Sequence, residues 1–246
     1  MKQNKRTSKI KAVARERLLG NYGTSTIAII LYRFITFIII NIVVGAIIPN
    51  NLISYFVYFA ATILVNLFFG VFDSGLAYLF MNVVYGQSVS IADLFQGFKN
   101  HPDKAIILQI PLALIDTLTI IPLQLFSVIL AQNKQIEGII DPRITIAVLA
   151  VSAVITIVNV YVRLMFSQSY YILQDFPDKD AFSILKTSIK LMKGHKHRLL
   201  LLYLSYIPLF ILGTLACFIP LIWVVTYLSA ADAAFYQDLV QNSQNN

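Results

Sequence analysis

Apolar runs separated by short polar intervals recur along the chain from Tyr22 onward, and about 20 residues of such sequence suffice to cross a hydrocarbon core of roughly 30 Å. The pattern predicts six membrane segments, at residues 22–48, 52–85, 104–130, 144–173, 199–216 and 219–239. The last two come from one apolar stretch, residues 199–234, interrupted by Pro208 and Pro220. Pro220 follows "GTLACFI", which predicts a tight turn and makes the stretch a hairpin; five spans are the alternative.

Each hairpin is preceded by a segment whose apolar residues recur at helical spacing. Residues 9–19 put Ile10, Val13, Ala14 and Leu18 on one stripe. Residues 90–98, "SIADLFQGF", open with a Ser-x-x-Asp capping box and group Ile91, Leu94, Phe95 and Phe98. Residues 178–193 put Phe182, Leu185, Ile189 and Met192 opposite Lys186, Lys190 and Lys193. All three predict helices lying along the membrane surface. Gly20, Gly97 and Gly194 follow or end them, and Gly97 and Gly194 each precede a proline, Pro111 and Pro208, by 14 residues. This favours a threefold repeat of surface helix, glycine break and hairpin, although helix-ending glycines and membrane prolines are common enough to coincide.

The expected fold is therefore all-α, a polytopic bundle of about six spans arranged as three hairpins. It forms a single membrane domain over residues 1–246. Within it, residues 1–21 are a basic amphipathic segment, 22–85 the first hairpin, 86–173 a surface helix with the second, 174–240 a surface helix with the third, and 241–246 a polar tail.

Composition agrees: 58% of residues are hydrophobic and 13% charged, against roughly 25% charged in soluble domains. The polar intervals are too short to bury cores of their own. The basic N-terminus resembles a secretory signal, but the apolar run after it is about twice the usual length and lacks a small-x-small cleavage site, so an uncleaved anchor is expected.

Charge distribution then orients the chain. The first 21 residues hold seven Lys/Arg and residues 175–198 hold six, whereas residues 49–51 hold none. The 131–143 loop offsets Lys134 and Arg143 with Glu137 and Asp141. Basic residues are retained on the cytoplasmic side, so the N-terminus is expected inside. The net charge of +7 has the same origin, and without a nucleic-acid-binding module around it the expected partner is anionic lipid headgroups, with no nucleic acid.

Against this background the charges inside the spans stand out. Counted at about 1.5 Å per residue, Arg33 and Asp116 both fall midway through the bilayer and form a candidate intramembrane pair. Asp73 and Arg163 form a second candidate pair near the inner interface. An isolated charge at bilayer depth costs about 2.5–3.5 kcal/mol, so each is expected to pair or to face a wet cavity. Such a pair serves either as a polar pathway or as a clasp between helices. Asn41, Asn66 and Asn159 add uncharged polar groups to the spans. Candidate anionic-lipid contacts are Lys186, Lys190, Lys193, Lys196 and Arg198.

Other chemistry is thin. No phosphate-binding glycine loop, dinucleotide fingerprint, His-Glu-x-x-His or Cys-x-x-Cys occurs, and no catalytic, cofactor-binding or metal-ligating residues are assigned. His195 and His197 read as part of a basic cluster, His101 as a loop residue, Asp178 and Asp180 as helix-capping carboxylates, and Cys217 as a small buried hydrophobe. Ser229 with Ala233, and Ala230 with Ala234, have the small-x-x-x-small spacing of close helix packing, and Phe235–Tyr236 reads as an interfacial aromatic anchor.

The stretch "TSIKLMKGHKHRLLLLYLSYIPLFILGTLACFIPLIWVVTYLSAADAAFYQDL" resembles the C-terminal signature of an uncharacterised integral-membrane family of Gram-positive bacteria, catalogued as domain of unknown function 975. The matching positions are Ser188, Leu191, Met192, Gly194, His195, Leu204, Ser205, Leu221, Trp223, Tyr227, Ala231, Phe235 and Tyr236. "ARERLLGN" and "ADLFQGF" resemble the family too, while Thr226 stands where relatives carry a proline. The resemblance implies a bacterial plasma-membrane location and carries over no reaction, ligand or catalytic residue. The leading expectation is a non-enzymatic accessory or scaffold that contacts lipid, a membrane-protein partner or a second copy through its inner surface helices. The alternative is a small-solute or lipid transporter or channel using Arg33 and Asp116.

Overall fold

Helix boundaries follow their capping groups. Asn51 and Ser54 exchange hydrogen bonds, each side-chain oxygen accepting from the other's backbone N–H at 2.9 Å, and so open the helix Leu52–Tyr85. Pro102 and Pro142 each occupy a first helical position, where a missing N–H costs nothing. Asp180 accepts from the Phe182 N–H at 3.1 Å, the expected capping role.

A computed structural model describes residues 7–49, 51–135, 142–216 and 218–244. Lys2, Lys5, Arg6, Glu137, Asp141, Cys217 and the side chain of Lys134 lie outside the described residues. In chain order the helices are α1 (Thr7–Leu18), α2 (Tyr22–Ile39, extended by a wide turn Ile40–Val44), α3 (Leu52–Tyr85), a tight 3₁₀ turn (Ile91–Phe95) running into α4 (Gln96–Lys99), α5 (Pro102–Gln135), α6 (Pro142–Phe166), α7 (Ser169–Asp175), α8 (Ala181–Met192), α9 (Lys196–Leu204), α10 (Ile207–Leu215) and α11 (Leu221–Gln244). The described residues contain no strand.

Five helical stretches are long and apolar enough to cross a membrane: Tyr22–Val44, Leu52–Tyr85, Pro102–Ser127, Pro142–Asp175 and Lys196–Leu215. This makes the chain a multi-pass membrane protein. The fourth breaks after Phe166, and the fifth breaks at Ser205–Tyr206 just ahead of Pro208, so neither is one continuous rod. α11 falls outside this set. Its C-terminal half carries Asp232 and Asp238 and is buried along Ala230, Ala231, Ala233, Ala234, Phe235 and Tyr236.

The larger of two buried clusters forms the base of the molecule, and a smaller one, Tyr32, Val44, Val65, Phe69, Phe72 and Leu94, joins α2 to α3. Leu18 of α1, Leu79, Phe80 and Val83 of α3, Leu108 of α5, Ile172 and Leu173 of α7, Ile184 and Met192 of α8, Leu202 of α9 and Phe235 of α11 form one buried cluster. Away from that base, large apolar side chains face outward, among them Phe34, Phe37, Phe56, Leu64, Leu118, Ile146, Leu149 and Ile157. In water this would be untenable; in hydrocarbon it is the expected surface.

Several expectations are revised. The stripe of α1 does not lie on the membrane: Ile10, Ala14 and Leu18 are buried against the rest of the chain, and the Lys11 ammonium donates to the Ser205 carbonyl at 2.8 Å. The buried face of α8 is Ala181, Ile184, Ser188 and Met192; it keeps Met192 of the predicted stripe, with Leu185 packed beside it, but turns in small residues that admit the neighbouring helices and leaves Phe182 exposed. Residues 90–98 form a compact turn rather than a surface helix, with the Ser90 N–H donating to Asp93 at 3.0 Å. Gly20 and Gly194 end helices in the left-handed conformation, at φ +86° and +83°. Gly97 instead permits contact, since a Cβ there would collide with the Val71 carbonyl of α3, and Gly75 lies equally close to the Leu94 carbonyl. Phe235 and Tyr236 are interior residues rather than an interfacial anchor; Tyr236 stacks on Tyr171 at 5.4 Å and donates to Asp175 at 2.6 Å.

Candidate functional site

On α6, Asn159 and Arg163 are four residues apart and therefore share a face; on α5, Asp116 and Thr119, three apart, also share one. The two faces meet. Arg163 Nη2 donates to Asp116 Oδ2 at 2.6 Å, and Arg163 Nε donates to Asn159 Oδ1 at 2.9 Å. Asn159 Nδ2 in turn donates to Asp116 Oδ1 at 2.8 Å and to Thr119 Oγ1 at 3.0 Å. One carboxylate thus satisfies two donors on a neighbouring helix, a strong arrangement where water is scarce.

The second charged centre lies between α2 and α3. Tyr32, buried among Phe69 and Phe72, donates its hydroxyl to Asp73 Oδ1 at 2.8 Å. Arg33 lies over the Tyr32 ring at 5.6 Å and makes no salt bridge among the described residues. Arg33, Arg163 and Asp116 are all near enough to Asp73 to act on its charge.

These centres share one cavity of about 700 Å³, within the range of small-molecule sites. Arg33, Asp73, Asp116 and Arg163 all line it, with Asn66, Gln109, Ser167, Ser229, Tyr170, Tyr171, Tyr203 and Asp232. The predicted pairings are therefore corrected. Asp116 pairs with Arg163, and Asp73 with the Tyr32 hydroxyl, because consecutive helices pack side by side: α6 follows α5, and α3 follows α2. Depth along the bilayer normal places a charge on its level but leaves its direction around the helix open.

Sequence reasoning missed Tyr32 and Asp232. Asp232 is the less satisfied: its Oδ1 is buried with no hydrogen-bond partner, and the Tyr203 hydroxyl lies beside the carboxyl. The available signal was a lone carboxylate amid the small residues of "SAADAAF".

The basic cluster divides. Lys186 and Lys190 on α8, and Lys193 at its C-terminal cap, are exposed. Lys196 lies over the Tyr161 ring at 3.9 Å and donates to its hydroxyl at 2.8 Å. Arg198 is corrected from a lipid contact to an internal clasp, donating to Asp238 Oδ2 at 2.6 Å and lying over the Phe235 ring. His195 faces Arg198, its Nδ1 at 3.2 Å.

Comparisons with curated proteins and with solved structures each returned no match. A family model covers residues 1–243, nearly the whole chain, and the protein accordingly belongs to the family described as Protein of unknown function (DUF975).

Proposed function

We propose that the cavity is a binding site on a transport path for a small polar solute or a lipid headgroup. The observation that carries this reading is the convergence of Arg33, Asp73, Asp116 and Arg163, from four different apolar helices, on one cavity. A clasp alone needs a dry contact between two charges; four charges around open volume favour occupancy by something polar. On this reading the protein is non-enzymatic and resides in the bacterial cytoplasmic membrane with its N-terminus inside. The turn before Leu221, where Leu221 packs on Gly213, returns the chain, so that α9–α10 and the outer part of α11 make a third hairpin and six crossings.

Neutralising Arg33 and Asp116 together, with expression intact, is expected to change uptake or resistance in a broad solute screen. An unchanged profile rejects the transport reading.

The accessory reading has its own support in Lys186, Lys190 and Lys193, exposed on one amphipathic helix and its C-terminal cap. Replacing all three by Gln is expected to lower the anionic lipid that co-purifies with the full-length protein. Unchanged lipid content removes that support.

A further inference from the structure

Three carboxylates, Asp73, Asp116 and Asp232, line the cavity against two guanidiniums, Arg33 and Arg163, leaving one negative charge in excess when all are ionised. Their needs are met unequally. Asp116 holds Arg163 and Asn159. Asp73 holds the Tyr32 hydroxyl and feels Arg33. Asp232 Oδ1 is shielded from solvent and holds nothing among the described residues.

A buried acceptor without a donor is costly, more so when charged, so the Asp232 carboxylate, which lines the cavity with no donor on its Oδ1, is a seat awaiting an N–H. Its surroundings define which kind. Tyr171 and Tyr203 both line the cavity near enough to Asp232 to feel its charge, with the Tyr203 hydroxyl beside the carboxyl and one face of Tyr171 stacked on Tyr236. Arg33, without an ion pair among the described residues, is exposed, whereas Asp232 Oδ1 is enclosed. The surroundings of Asp232 are thus acidic and aromatic, and the nearest positive charges belong to other helices. An anion entering would meet Arg33 but then face an uncompensated carboxylate.

Building on the binding-site reading above, we infer that the cavity takes a primary ammonium group, seated on the Asp232 carboxylate and flanked by Tyr171 and Tyr203. The requirement for N–H donors separates this ligand from a quaternary ammonium, which has charge but nothing to donate. The ammonium belongs either to a small soluble amine or to the headgroup of an aminophospholipid.

The test uses full-length protein in nanodiscs of phosphatidylglycerol, titrated calorimetrically with ethylammonium, with empty nanodiscs subtracted. Saturable binding is expected, with tetramethylammonium at least tenfold weaker. Asp232→Asn, nearly the same shape, is expected to weaken ethylammonium at least tenfold, whereas Asp103→Asn at the start of α5 leaves it unchanged. Repeating the titration in discs containing phosphatidylethanolamine identifies the source: competition assigns a lipid headgroup, and its absence a soluble amine. Equal binding of the two ammonium ions, or equal binding by Asp232→Asn with an unaltered melting temperature, overturns the inference. Acetate and phosphate are titrated in parallel. Saturable anion binding lost in Arg33→Gln, with none for ethylammonium, overturns the ammonium assignment while keeping the cavity as a site; no binding of either ion overturns both.

Discussion

Asp116 takes its partner from the helix next in the chain, and Asn159 makes the contact three-sided. With the Arg163 side chain 54% exposed, the pair is held more by geometry than by exclusion of solvent. In a double-mutant cycle, Arg163→Gln and Asp116→Asn are expected to couple by about 0.6 kcal/mol, and at most about 1.7, in thermal melts. Additive losses would show that the contact does not persist in lipid. Arg198 and Asp238 are the contrasting case. Their side chains are only 15% and 2% exposed, so Arg198→Gln, which removes the cation from an enclosed carboxylate, is expected to cost about 3–5 kcal/mol, read as a large drop in melting temperature. The charges themselves were legible in the sequence as anomalies within apolar runs. Their partners were not, because pairing depends on which helix faces lie together, and Tyr32 carries no net charge to draw notice.

Among the helices, length and apolarity survive translation from sequence best: Leu52–Tyr85 has the predicted limits, and four other stretches follow the predicted spans closely. Orientation about the axis survives least. α8 turns inward the side bearing Ala181 and Ser188, since small side chains let α7, α5 and α6 approach, and hydrophobicity alone ranks Phe182 above them. The turn at Ile91–Phe95 was legible in its cap, Ser90 with Asp93, but its docking on α3 depends on Gly97 of the same segment meeting Gly75 of α3, a residue no local motif links to it. Gly75→Val places a side chain against the Leu94 carbonyl and is expected to reduce stability by about 1–3 kcal/mol, seen as lower folded yield in size-exclusion profiles. A tolerated valine would mean that the turn is not held against α3.

For the molecule entire, basic segments retained on the inner side of the membrane predict the topology. In a Cys217→Ser background, Lys190→Cys on α8 is expected to react with a membrane-impermeant maleimide in inverted vesicles and to remain unlabelled in intact cells. Labelling from outside would reverse the placement of the base and of every basic segment attached to it. The bundle-like class and the multi-pass character were readable from composition and run length, but a shared cavity was not, because it arises where four separated polar positions converge.

The lopsided distribution of buried side chains has a further effect on how the protein behaves once extracted. Only 6% of the apolar window in Pro142–Asp175 is covered by the rest of the chain, while the base is fully packed. The arms therefore rely on acyl chains as mortar between them. Delipidating detergents are expected to loosen amide protection along α6 first, leaving α1, α8 and the end of α11 slow to exchange, so that a preparation can look folded by its melting curve after its intramembrane chamber has already lost its shape.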